Sequence, residues 1–122
     1  EFREVSVFEL LGALKRVIDR LPKDTVHEVT LEKITVREKM ALLLDTLRNT
    51  SRVLFESLFA GVKTRIEIIV TFLAMLELVK VRAIRIFQEQ PGDEIVIEAA
   101  AGMDEAAEQV VLDEIEEKQD GA

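Results

Sequence analysis

Few side chains in this sequence combine a reactive group with a spacing that could support catalysis. His27 is the single histidine, and it shares one side of an alternating segment with Val29 and Leu31. Ser51 and Ser57 lack the flanking glycines of a nucleophile elbow. The chain has no cysteine, which excludes thiolate chemistry and disulfides. We therefore expect no catalytic residue, no metal ligands and no cofactor, and a protein that is not an enzyme.

Two further stretches contain residue types that occur in sites for phosphate or acid–base chemistry. The residues Gly61-Val62-Lys63-Thr64 match only the end of a phosphate-binding loop, because the earlier glycine and the preceding parallel strand are missing. We interpret them as the turn before a helix. The acidic pair Glu116-Glu117 lies in the C-terminal segment, where no predicted element would position it. Neither stretch predicts an active site.

The charge of the chain is unevenly distributed. Its net charge is -8, yet residues 1–98 carry 15 basic and 16 acidic side chains, whereas residues 99–122 carry one lysine and eight acids. We expect this acidic tail to be a disordered segment or a frayed helix. The longest apolar run without a charge, 68–76, has nine residues, and a bilayer span needs about twenty. We expect a cytoplasmic protein with no membrane partner.

Three helix starts carry the same S/T-x-x-E capping signal, in which the hydroxyl accepts a hydrogen bond from the backbone amide three residues later. An apolar run with helical spacing follows each signal, and the three predict helices over about 6–21, 35–48 and 64–82. The signals are Ser6 with Glu9, Thr35 with Glu38, and Thr64 with Glu67.

The remaining segments predict short strands and turns. An extended segment is expected over 26–33, a short strand over 52–55 followed by a brief helix over 56–60, and strands over 83–89 and 94–98 around Pro91-Gly92. From residue 35 this is the order of a mainly α winged helix-turn-helix. We expect a helical arm over 1–33, the winged-helix domain over 34–98 and the tail over 99–122.

The third helix is apolar almost all the way round. We expect one face, or its immediate neighbours, to pack on the second helix and on the hairpin. That face consists of Ile66, Ile69, Val70, Leu73, Leu76 and Val79. A domain of about 65 residues cannot bury every face of such a helix. The excess predicts association with another polypeptide; alternatively, the arm helix covers it.

Alternation along the hairpin assigns its faces. Ile84, Ile86 and Gln88 are expected to face the core, together with Ile95 and Ile97 from the second strand. Arg85, Phe87 and Val96 then point outward on a wing with a free edge. This arrangement favours docking of a protein on the wing.

Sequence-specific recognition of DNA is disfavoured. The centre of the third helix has two glutamates and no basic residue, and the chain contains neither tryptophan nor tyrosine. Two alternatives nevertheless stay open. One is a winged-helix transcription regulator that dimerises through the hydrophobic helix. The other is an enzyme accessory domain that self-associates.

The sequence over about 5–97 resembles the C-terminal part of segregation and condensation protein A, the bacterial kleisin. The most specific stretches are Phe55-Glu56-Ser57-Leu58-Phe59, Thr64-Arg65, Val70-Thr71-Phe72-Leu73-Ala74-Met75-Leu76-Glu77-Leu78 and Gln88-Glu89. The stretches Val7-Phe8-Glu9-Leu10-Leu11 and His27-Glu28 are similar to the family's segment just upstream. The family often has a glycine between the long helix and the wing, where this chain has Val81-Arg82-Ala83.

The resemblance implies a non-catalytic subunit of an SMC complex in chromosome condensation and segregation, associated with the nucleoid. Its winged helix would dock on the ATPase head of an SMC subunit, and its central region would bind ScpB. The head-docking residues implied by position are Phe87, Val96, Leu73, Leu76 and Arg85. Those nearer ScpB are Phe8, Leu11, Leu14, Val29 and Leu31.

Overall fold

The computed structural model describes residues 3–21, 35–90, 92–105 and 108. The elements are β1 (Arg3–Glu4), α1 (Val7–Asp19), α2 (Val36–Thr50), β2 (Arg52–Leu54), a 3-10 helix (Phe55–Phe59), α3 (Arg65–Lys80), β3 (Ile84–Gln88) and β4 (Val96–Ala99). This order confirms the mainly helical winged-helix prediction. The predicted extended segment 26–33, with His27, Val29 and Leu31, lies outside the described residues.

All three predicted helix starts are confirmed. In each, the N-cap hydroxyl oxygen accepts a hydrogen bond from the amide of the glutamate three residues later, at 3.1 or 3.2 Å. Such caps satisfy a backbone N–H that would otherwise lack a partner, and each contributes about 1 kcal/mol. Glu67 also accepts a hydrogen bond from Lys39 Nζ at 2.9 Å, which ties the start of α3 to α2.

The four strands form one sheet in the order β1-β3-β4-β2, with antiparallel neighbours throughout. Ile86 pairs with Ile97 and Phe87 with Val96, so the predicted hairpin is confirmed. Gln88 faces inward as expected, and its Nε2 donates to Asp93 O at 3.1 Å across the wing turn. The free edge expected for the wing is wrong, because β1 pairs with Phe87 and Gln88 of β3.

The core face of α3 is formed by the neighbours of the residues that we named. Ile68, Phe72, Met75 and Leu78 are buried, whereas Ile66 and Leu73 lie at the surface. The prediction allowed for these neighbours, and it could not identify the face more closely because apolar residues surround the helix. A helical period identifies a buried face only where polar residues mark the opposite one.

The helix α1 packs on α3 and belongs to the same apolar cluster as the winged helix. Leu10, Ala13 and Val17 are its buried side chains. The alternative in which the arm covers the second face of α3 is therefore correct in part. It is incomplete because Ile66, Leu73 and Val79 remain exposed at 63%, 44% and 38%.

The turn from α3 into the wing is made without glycine. Ala83 N donates to Leu78 O at 2.9 Å and Arg82 N to Val79 O at 3.0 Å, the hydrogen-bond pair of a Schellman motif. Arg82 occupies the position where that motif needs a left-handed backbone, with φ of 62°. The chain thus reaches β3 with an arginine at a site that glycine usually fills.

Candidate docking groove

The start of α1, the end of α3 and the strand β3 enclose an open groove of about 420 Å³. Its walls are mainly apolar, since β3 presents alternating isoleucines to the last two turns of α3. The apolar lining residues are Val5, Val7, Leu10, Leu76, Val79, Ile84, Ile86, Phe87 and Ala100, and the charged ones are Glu4, Arg82 and Arg85. An apolar cleft with a few charged groups at its edge is suited to binding a polypeptide segment.

Three of the five residues implied for docking on an SMC head meet in this groove. Leu76 enters from α3, and Arg85 and Phe87 enter from β3. Val96 is half-buried and pairs with Phe87 across the hairpin, without lining the groove. Leu73 lies on the exposed side of α3. The groove therefore unites part of the predicted set and leaves two members outside it.

Phe87 corrects the expectation of an exposed aromatic on the wing. It lies outside the main apolar cluster, as expected for the outward face, but only 7% of it is exposed. The guanidinium of Arg52 lies 5.7 Å from the ring centroid, within the range of a cation–π contact. Glu98 holds Arg52 in place through hydrogen bonds of 2.6 and 3.1 Å. Phe87 thus forms a wall of the groove, and it is not a free contact residue.

A second apolar surface, the α3 outer face, consists of Ile66, Ile69, Val70 and Leu73. Ile66 and Leu73 are exposed, and the other two are half-buried. At 100° per residue the four side chains project within one sector of the helix, opposite Ile68, Phe72 and Met75. Together with Val79 in the groove, this surface is part of the predicted apolar excess that the fold leaves uncovered.

The α1 residues implied for ScpB divide between surface and core. Phe8 is 85% exposed and Leu11 is 47% exposed, whereas Leu14 is half-buried against the apolar cluster. Val7 and Leu10 line the groove, which the sequence analysis did not predict. Their apolar character within the helical run of α1 favours packing, but it does not indicate against which element. That they face β3 across the groove is seen only in the structure.

Metal binding and membrane insertion find no support in the part of the chain that is described. Over residues 3–21, 35–90, 92–105 and 108, no three acidic or histidine side chains group closely enough to hold a metal ion. Over the same residues, no helix has the length and hydropathy to cross a bilayer.

The groove lies in a winged helix whose sequence matches a known family. The sequence model described as "Segregation and condensation protein ScpA" matches residues 3–100. The chain belongs to the ScpA family. The resemblance drawn from the sequence is thereby confirmed. No solved structure matches the chain.

Several curated relatives carry the name segregation and condensation protein A. The relative from Myxococcus xanthus is 45% identical over 91 residues, which cover 73% of this chain and 32% of that protein. The relative from Brevibacillus brevis is 32% identical over 94 residues, which cover 76% of this chain and 37% of that protein. The relative from Coxiella burnetii is 33% identical over 83 residues, which cover 68% of this chain and 31% of that protein. The chain therefore spans about a third of the length of the ScpA proteins that it matches.

Proposed function

We propose that this ScpA chain is a non-catalytic docking module in chromosome segregation and condensation, and that its winged helix binds the ATPase head of an SMC subunit. The names of its relatives support a role in chromosome segregation and condensation. The family resemblance supports the choice of an SMC head as the partner. A cytoplasmic, nucleoid-associated location follows from the same role.

The observation that carries the proposal is the apolar groove between α1, α3 and β3. It brings Leu76, Arg85 and Phe87 together at one surface and adds Val79, which is 38% exposed. Burying one large apolar side chain contributes roughly 1.5–3 kcal/mol, so a few such contacts give appreciable affinity. The α3 outer face offers a second apolar surface that can extend the interface.

The alternative of a DNA-binding transcription regulator gains no support from the surface of α3. A helix that reads bases presents arginine, lysine, asparagine or glutamine at its outer face. Here the outer face presents Ile66, Ile69, Val70 and Leu73, and Glu77 is exposed beyond them. The net charge of -8 also weakens the attraction to phosphates.

The domain organisation that we propose has a separate contact for ScpB. The arm over 1–33 would present Phe8 and Leu11, which are exposed on α1 while Leu10 holds the helix to the core. The groove would thus serve the SMC head, and the outward side of α1 would serve ScpB. The tail as predicted over 99–122 contributes Ala99, the last residue of β4, and Ala100, which lines the groove. Beyond Ala100 it takes no part in either contact in this scheme.

Titration calorimetry of the chain against an SMC head, and separately against ScpB, tests this function. Val79→Glu should weaken head binding by roughly tenfold or more, because the carboxylate would be desolvated in the groove. Leu42→Glu introduces the same charge at an exposed apolar site on α2 and should change head affinity less than about twofold. Absence of head binding by the wild type, or equal losses for the two variants, would refute the proposed docking mode.

A further inference from the structure

Arg82 occupies a backbone conformation that disfavours most residues other than glycine and asparagine. Its φ of 62° places it in the left-handed region at the end of α3, where the Cβ crowds the backbone. Glycine at this position would avoid the clash. Such a conformation at a surface position is a reason to ask what the side chain does.

Arg82 and Arg85 both line the groove, and both are exposed. Arg52 engages Glu98, the residue opposite Arg85 on β4. Among residues 3–21, 35–90, 92–105 and 108, neither Arg82 nor Arg85 forms an ion pair. Glu4 is the third charged residue of the lining. A chain with a net charge of -8 thus places two guanidinium groups, neither ion-paired within the described residues, and one carboxylate around an apolar floor.

We propose that Arg82 and Arg85 form a two-arginine rim that recognises an acidic side chain on an apolar segment of the partner. This inference rests on the proposed function and names the chemistry that the SMC head must supply at the groove. The segment would place apolar side chains against Leu76 and Val79 and an aspartate or glutamate between the two arginines. Guanidinium groups pair with carboxylates through two parallel hydrogen bonds, which fixes orientation as well as affinity.

The apolar floor favours a polypeptide over a nucleic acid as the occupant. A phosphate backbone would also pair with two arginines, but its charged groups would be desolvated unfavourably against the apolar Leu76 and Val79. Nucleic-acid sites combine many cationic groups along a groove, whereas here two arginines and Glu4 are the only charged lining residues among those described. One carboxylate within an apolar segment matches both parts of the site.

Variants of Arg82 separate this role from a structural one. Arg82→Asn tolerates the left-handed backbone without the charge, and Arg82→Gly also relieves the crowding. Each of the three single variants, Arg82→Asn, Arg82→Gly and Arg85→Gln, should weaken binding of an SMC head by about tenfold in calorimetry. Wild-type binding should depend more steeply on salt than binding of the variants. The melting temperature of Arg82→Gly should not fall, and should rise by up to about 5 °C.

Two controls match the change in backbone and the change in charge. Ser51 also has a positive φ, of 66°, at the end of α2, so Ser51→Gly relieves a second positive-φ position away from the groove. Arg48→Gln removes an exposed positive charge from α2. Neither control should alter head affinity by more than about twofold.

Each other outcome overturns the inference in a recognisable way. Wild-type affinity in all three groove variants would overturn the arginine rim and leave head docking intact. Failure of the wild type to bind the head would overturn both the arginine rim and the proposed docking on the head. Tighter binding by the Arg82 variants would show that acidic residues of this chain occupy the rim. Binding of duplex DNA that depends on Arg82 and Arg85 would assign the rim to phosphate.

Discussion

Two leucines of α3, Leu78 and Leu73, show which face of the helix packs in the core and stabilises the fold. Leu78 is fully buried and Leu73 is 44% exposed, although both lie in the same helix. Leu78→Ala should lower the free energy of unfolding by about 2–5 kcal/mol, because it leaves a cavity in the core. Leu73→Ala makes the same chemical change and should cost less than about 1 kcal/mol. Urea denaturation followed by circular dichroism measures both; equal losses would mean that the buried face is assigned wrongly.

The sequence predicted residues well where the signal was local. Ser6, Thr35 and Thr64 cap their helices through bonds that span three residues, so a short motif contains the information. Phe87 was expected at the surface because alternation turns it away from the core. What covers it, Arg52 on another strand, depends on sheet order. Alternation specifies the face of a strand but not what covers that face.

The capping motifs make a prediction at the scale of the helix as an element. Thr64→Ala removes the acceptor for Glu67 N at the start of α3 and should lower the free energy of unfolding by about 1 kcal/mol. Thr46→Ala lies inside α2, where the hydroxyl donates to Leu42 O at 2.9 Å. It should be neutral or slightly stabilising, because alanine has the higher helix propensity. Thermal melts of both variants test this; a larger loss from Thr46→Ala would contradict the role of the caps.

The sequence predicted two features least well: the pairing of the short strand β1 and the turn that ends α3. The strand β1 has two residues, too few for any alternation to appear, and yet it removes the free edge expected for β3. The Schellman turn at Arg82 has no glycine to mark it. The pairing of β1 depends on contact between distant segments, and the Schellman bonds are local but lack the glycine that would mark them. The hairpin around Gly92 was predicted from adjacent residues.

At the scale of the whole molecule, the position of α1 determines what the surface can bind. Because α1 packs on α3, the apolar excess of α3 is reduced but not removed. What remains on α3 divides into the groove and the α3 outer face, and the outward side of α1 adds a third apolar surface. The sequence predicted that a partner must cover part of α3. It could not predict the groove, because that site requires β3, α3 and the start of α1 to meet.

Hydrogen exchange of the chain with and without an SMC head tests the central claim most directly, since it reports which backbone segments a partner protects. Docking in the groove predicts slower exchange in Leu76–Lys80 at the end of α3 and in Ile84–Phe87 of β3. The middle of α2, around Leu42, should be unchanged. Protection confined to α2, or no protection anywhere while the head is bound, would contradict docking through the groove.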